Sequence, residues 1–121
     1  MKSFNFPFGT INILNNNLAE IIVSEGVVID ELAVKQYCDF LTTHLDAPFS
    51  LLINKKHSYT YTYNAQKSKR LLGKINKIAV VCTTLAGLMS TEILMNVKGN
   101  IFKNTKVFNE SKKALNWLKT K

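Results

Sequence analysis

No apolar run in this chain of 121 residues approaches the roughly 20 that cross a bilayer. The opening MKSFNFPFG is broken by polar residues too often to form the apolar core of a secretory signal. The expectation is therefore a cytoplasmic protein without a transmembrane segment. Metal-ligand spacing is missing as well, since His44 and His57 stand apart with no second His, Cys or acid at the intervals that tetrahedral sites use. There is no GxGxxG, no Walker loop and no GxSxG elbow. Cysteine is scarce: Cys38 lies near Tyr37 and Phe40, and Cys82 follows Val80 and Val81, settings that suit buried thiols rather than a disulfide. The acids of the first half read as caps and helix faces, not as an acid/base pair. These absences lead to a reading with no catalytic residue, no metal and no cofactor.

Acid is also missing from one long stretch, Lys55 to Ser90. Residues 1–54 carry two lysines against six acids, net −4, whereas residues 55–121 carry fourteen bases against Glu92 and Glu110, net +12. Such asymmetry attracts anionic partners but says little about fold. What is present is ordinary globular material, 46% hydrophobic and 20% charged, in a length that suits one core. The reading is a single domain over residues 1–121.

Along the chain, Phe4 to Leu14 and Leu18 to Val23 are rich in Ile, Val and Phe and flank Asn15-Asn16-Asn17, residues suited to a tight turn. They predict a β-hairpin whose first strand is interrupted at Pro7 and Gly9. Asp30 offers a carboxylate to the N-terminus of a helix beginning near Glu31, with Ile29 and Val34 placed as a hydrophobic staple and Val34, Tyr37, Cys38, Leu41 and Leu45 forming one stripe. Pro48 ends it. FSLLIN (49–54) and IAVVC (78–82) read as buried strands. A helix is expected from about Ala65 to Leu72, stopped at Gly73, and another from Thr83-Thr84 through Val97. TKVF (105–108) predicts a last strand, and Asn109 a cap for a final helix with Ala114, Leu115 and Leu118 inward and Trp117 at the margin. Helices between strands argue for parallel pairing with right-handed crossovers. The expected fold is α/β: a single mixed, mostly parallel sheet of about five strands with an N-terminal β-hairpin and four helices.

KIAVVCTT (77–84), followed by a helix and then by TKVFNESKKALNWLK (105–119), resembles the closing elements of the STAS-like, SpoIIAA-like family, with Ala114-Leu115-Asn116-Trp117-Leu118 matching its last helix. The resemblance implies a small regulatory or ligand-binding module, whose relatives mostly bind proteins and in some cases small or lipid-like ligands. Phosphorylated members carry an Asp-Ser pair between the third strand and the next helix. This chain has Lys55-Lys56-His57-Ser58-Tyr59 there, so the resemblance singles out Ser58 as the phosphosite, without the neighbouring acid.

That segment, KKHSYTYTY (55–63), is expected to leave the carboxyl end of an interior strand, where open α/β sheets collect ligands. Extended, it would send Tyr59, Tyr61 and Tyr63 to one side and Ser58, Thr60 and Thr62 to the other. The expected contact surface for a protein partner or a small molecule is thus Lys55, Lys56, His57, Ser58, Tyr59, Tyr61 and Tyr63, with Thr83 and Thr84 at the start of the later helix. A rival reading from another class adds the basic residues Lys67, Lys69, Arg70, Lys74 and Lys77 and makes the tyrosines a stacking platform for nucleic acid or another anionic surface. A plainer reading has the same rings padding a strand edge, hydroxyls outward. Monomer and homodimer stay open.

Overall fold

The computed structural model describes residues 2–57, 59–66, 71, 73–82 and 105–120. The chain begins with three strands in an antiparallel meander, β1 (Lys2–Phe6), β2 (Gly9–Asn15) and β3 (Leu18–Val23). The sequence reading joined the first two into one interrupted strand; they are two strands, and the chain reverses between Phe6 and its cross-strand mate Gly9. Pro7, with its fixed φ and no N–H, sits in the reversal and not in the ladder. Gly9 is required by crowding, because a Cβ there would run into the Ile22 carbonyl of the adjacent strand. The second turn falls at the asparagines as expected, where Asn17 N–H donates to Asn15 Oδ1 (2.9 Å).

After β3 the chain forms the short β4 (Val28–Ile29) and then α1 (Glu31–His44). Asp30 caps this helix as expected, its Oδ1 accepting from Ala33 N–H at 2.9 Å. Val34, Cys38, Leu41 and Leu45 are buried, and Ile29 is buried in the same cluster as Val34, as the staple requires. Next come β5 (Phe49–Asn54), β6 (Thr60–Tyr61), the one-turn α2 (Tyr63–Gln66), β7 (Ile75–Val81), β8 (Thr105–Phe108) and α3 (Ser111–Lys119).

The main sheet has six strands in the order β1-β2-β3-β5-β7-β8, antiparallel from β1 to β3 and parallel from β3 onward. The expectation of about five strands in a mostly parallel sheet is therefore corrected: splitting the first strand adds a member and a second antiparallel pairing. A separate two-stranded parallel ribbon, β4 with β6, was not foreseen. The described residues hold three helices; the fourth, expected over residues 83–97, lies outside them.

Alternation along the strands sends side chains to two cores. Ile11, Ala19, Ile21, Phe49 and Leu51 pack with α1, whereas Leu18, Leu52, Ala79 and Val81 pack with Ala114 and Leu118 of α3. Strand β5 is covered on both faces, which is why its apolar run is continuous. α3 buries Ala114 and Leu118 with Leu115 and Trp117 at the margin, as expected. Its cap differs: Glu110, not Asn109, occupies the N-cap and makes no side-chain cap bond.

Candidate functional site

The ends of β3, β5 and β7 define a carboxyl rim, and the segments that leave β3 and β5 meet on it. Lys55 N–H donates to the Val81 carbonyl (2.8 Å), so β5 stays paired one residue beyond its last strand position before the chain turns away. It returns as β6, with Thr60 N–H on the Val27 carbonyl (3.1 Å) and Thr62 N–H on the Ile29 carbonyl (2.9 Å). The β4–β6 ribbon thus lies across the rim and seats α1 and α2 side by side. Thr62 ends the ribbon by accepting from Ala65 N–H (3.2 Å), which starts α2.

The three tyrosines do not act together. Tyr59 and Tyr61 turn inward, rings 5.6 Å apart, and pack against the core under α1, while Lys55 Nζ lies 5.1 Å from the Tyr59 ring centre. Tyr63, the first residue of α2, is 70% exposed. The expected alternation ends where the helix begins, and this separates the third ring from the other two.

Burial pushes the Tyr59 hydroxyl well above its ordinary value; Tyr61 nearby adds to the shift, as does the hydrogen bond between the two side chains. Tyr61 is also raised, by burial first, although the bond from Tyr59 works the other way. Tyr37 of α1 is raised by burial and then by Tyr61 and Cys38. The three hydroxyls therefore remain protonated in the folded protein and do not serve as bases near neutral pH. Cys38 and Cys82, both buried thiols and not in a disulfide, lie within electrostatic reach of Tyr61 and Tyr59 respectively.

The outer surface of the rim is different. Val28, 58% exposed, faces out while its neighbour Ile29 faces in; Leu32, in the first turn of α1, is 63% exposed. With Tyr63 these are the large hydrophobics left in water among the described residues, and all three lie within four residues of the Val28–Thr60 pairing. Lys56 and His57 are exposed beside it, and His57 Nδ1 stands 3.8 Å from Glu25 Oε2. Sequence reading passed over Val28 and Leu32. The signal was there for Leu32, which sits two residues, about 200°, from Val34 and so opposite the buried stripe.

The basic residues separate. Lys74 carries its carbonyl to Phe49 N–H (3.0 Å) at the amino ends of β5 and β7, six residues or roughly 20 Å along the strand from Lys55. Lys77 is committed elsewhere: its Nζ donates to the carbonyls of Trp117 (3.0 Å) and Thr120 (2.7 Å) and to Thr120 Oγ1 (2.8 Å), closing the C-terminus of α3. Lys67, Lys69 and Arg70 lie outside the described residues, as do Ser58, Thr83 and Thr84.

On the sheet face opposite α1, a polar ladder crosses four strands. Ser3 Oγ donates to Asn12 Oδ1 (2.6 Å), Asn12 Nδ2 to Glu20 Oε1 (2.9 Å) and Asn54 Nδ2 to Glu20 Oε2 (3.0 Å). Glu20 is thus a strand residue held by two amides and not a helix-face acid. His44 sits at the end of α1 with its ring stacked on Phe40. Among the described residues no three His, Cys, Asp or Glu side chains gather as a metal would need, and no helix is long and apolar enough to cross a membrane. Comparison with family models, with curated proteins and with solved structures finds no match.

Proposed function

We propose that this chain is a non-catalytic, STAS-like regulatory module that holds a protein partner on the carboxyl rim of its sheet. One observation carries the proposal: Val28, Leu32 and Tyr63, all more than half exposed, lie within four residues of the Val28–Thr60 pairing, on the segments that leave β3 and β5, the second of which also carries Lys55, Lys56 and His57. Exposed apolar side chains rimmed by polar ones are the usual composition of a contact patch. Support for the STAS-like part comes from the antiparallel opening, the crossover through α1 and the FNESKKALNWL ending, which forms the end of β8 and α3. A stacking platform for nucleic acid is less well supported, because Tyr59 and Tyr61 turn inward and Lys77 is bound to α3.

The test is a photocrosslinking amino acid placed at Tyr63 in living cells, with Lys106 on β8 as the control position. One discrete adduct at position 63, at least tenfold weaker when Leu32→Glu is added and missing at position 106, supports the rim as the contact surface. Equal adducts at both positions, or none at 63, sink it.

A further inference from the structure

We infer that the outer edge of β1 pairs with β1 of a second copy of this chain, antiparallel, with the two-fold axis at Phe4. This goes beyond the rim contact and does not depend on it.

β1 is one edge of the six-stranded sheet; among the described residues it pairs only with β2, in unbroken register from Lys2↔Ile13 to Phe6↔Gly9. Its other side therefore offers backbone donors and acceptors to a new strand. Proteins that stay monomeric guard such edges with inward charges, bulges or prolines within the strand. Here the one charge is Lys2 at the outer end of the strand; no charged residue follows from Ser3 to Ala19, no bulge interrupts β1, and Pro7 falls after its end.

The two faces of β1 match their own copies. Ser3 and Asn5 lie on the polar face, bonded to Asn12 and Thr10, whereas Phe4 and Phe6 lie on the α1 side with their rings against Phe40 at 4.9 and 5.0 Å. An axis at Phe4 sets Ser3 opposite Asn5 of the second copy, Phe4 opposite Phe4, and Lys2 opposite Phe6. Amide and hydroxyl then meet amide and hydroxyl on one face; on the other, ring meets ring at the axis and the Lys2 stem faces the Phe6 ring at each end.

Charge selects this edge over the other. β1 belongs to the acidic half of the chain, whereas β8 carries Lys106 and adjoins α3 with Lys112, Lys113 and Lys119. Five strand spacings of about 4.8 Å put β8 roughly 24 Å from β1. Pairing through β1 holds the two basic ends far apart; pairing through β8 would press them together.

The test uses exposed positions that leave the core intact. Proteins carrying Ser3→Cys and Asn5→Cys are mixed and mildly oxidised, the native thiols being buried. Facing residues of antiparallel strands lie about 4.5–5.5 Å apart at Cα, inside disulfide range. The mixed 3–5 disulfide should exceed each homodisulfide at least tenfold. The parent chain should sediment as a dimer at roughly 100 µM, where a micromolar Kd is saturated, and Asn5→Pro, still folded by circular dichroism, should be a monomer. A parent that is monomeric at that concentration, or mixed and homodisulfides formed in equal amounts, overturns the inference.

Discussion

Tyr59 and Tyr61 hide hydroxyls that an exposed tyrosine would keep in water, and this has a consequence at high pH. Burial raises both pKa values, with Tyr37 alongside, so above about pH 10 the unfolded chain releases protons that the folded chain retains. The unfolded state then binds fewer protons, and the linkage relation makes stability fall as pH rises. The contribution of these hydroxyls is intact below pH 10 and is lost upward from there, by up to about 1.4 kcal/mol per pH unit for each tyrosine. Urea unfolding at steps between pH 8 and 11 measures it. Tyr59→Phe should remove about a third of the tyrosine-dependent slope, and a slope unchanged by that substitution would mean that Tyr59 titrates normally.

The two long helices end in different ways, and their stabilities should respond accordingly. α1 is closed at its start by Asp30, so Asp30→Ala should cost about 1 kcal/mol. α3 has no such side-chain bond, and Glu110→Ala should change stability by only a few tenths, since its pair with Lys113 is exposed at 3.3 Å. What closes α3 is Lys77 at its other end; Lys77→Met, which keeps an unbranched side chain but loses the ammonium from the carbonyls and from over the Trp117 ring, should cost about 1–2 kcal/mol in urea midpoint measurements. The contrast also shows what a sequence discloses. Asp30 announces its role because a cap and its stripe are neighbours in the chain, and β5 and β7 are legible from short apolar runs. Lys77 and Thr120 are forty-three positions apart, and no local pattern links them. The β4–β6 ribbon escaped for another reason: two-residue strands are too short to show a period. Pro7 was recognised as a strand breaker, yet whether it bends one strand or separates two depends on the fit of Gly9 against Ile22, a tertiary matter. At the rim, Lys55 to Tyr63 was placed by chain order alone, whereas the direction of each ring depended on where α2 begins.

Among the described residues, the six-stranded sheet lies between two cores, and β5 belongs to both. Phe49 and Leu51 face α1 while Leu52 faces α3, so neither helix can leave without stripping one side of the same strand. Residues 1–121 should accordingly unfold as one unit, with no stage at which the α1 side has melted and the α3 side persists. Trp117, the chain's single tryptophan, reports from the α3 side, where its ring lies 5.6 Å from Phe108. Leu41 is buried on the α1 side, in the cluster that Trp117 does not join. Leu41→Ala should cost about 2–5 kcal/mol through the lost contacts and the space left behind. In a cooperative molecule that loss shifts the Trp117 fluorescence transition and the far-ultraviolet dichroism transition by the same amount. If the dichroism transition moves while Trp117 fluorescence holds its parent midpoint, the two sides are separate units and β5 does not couple them.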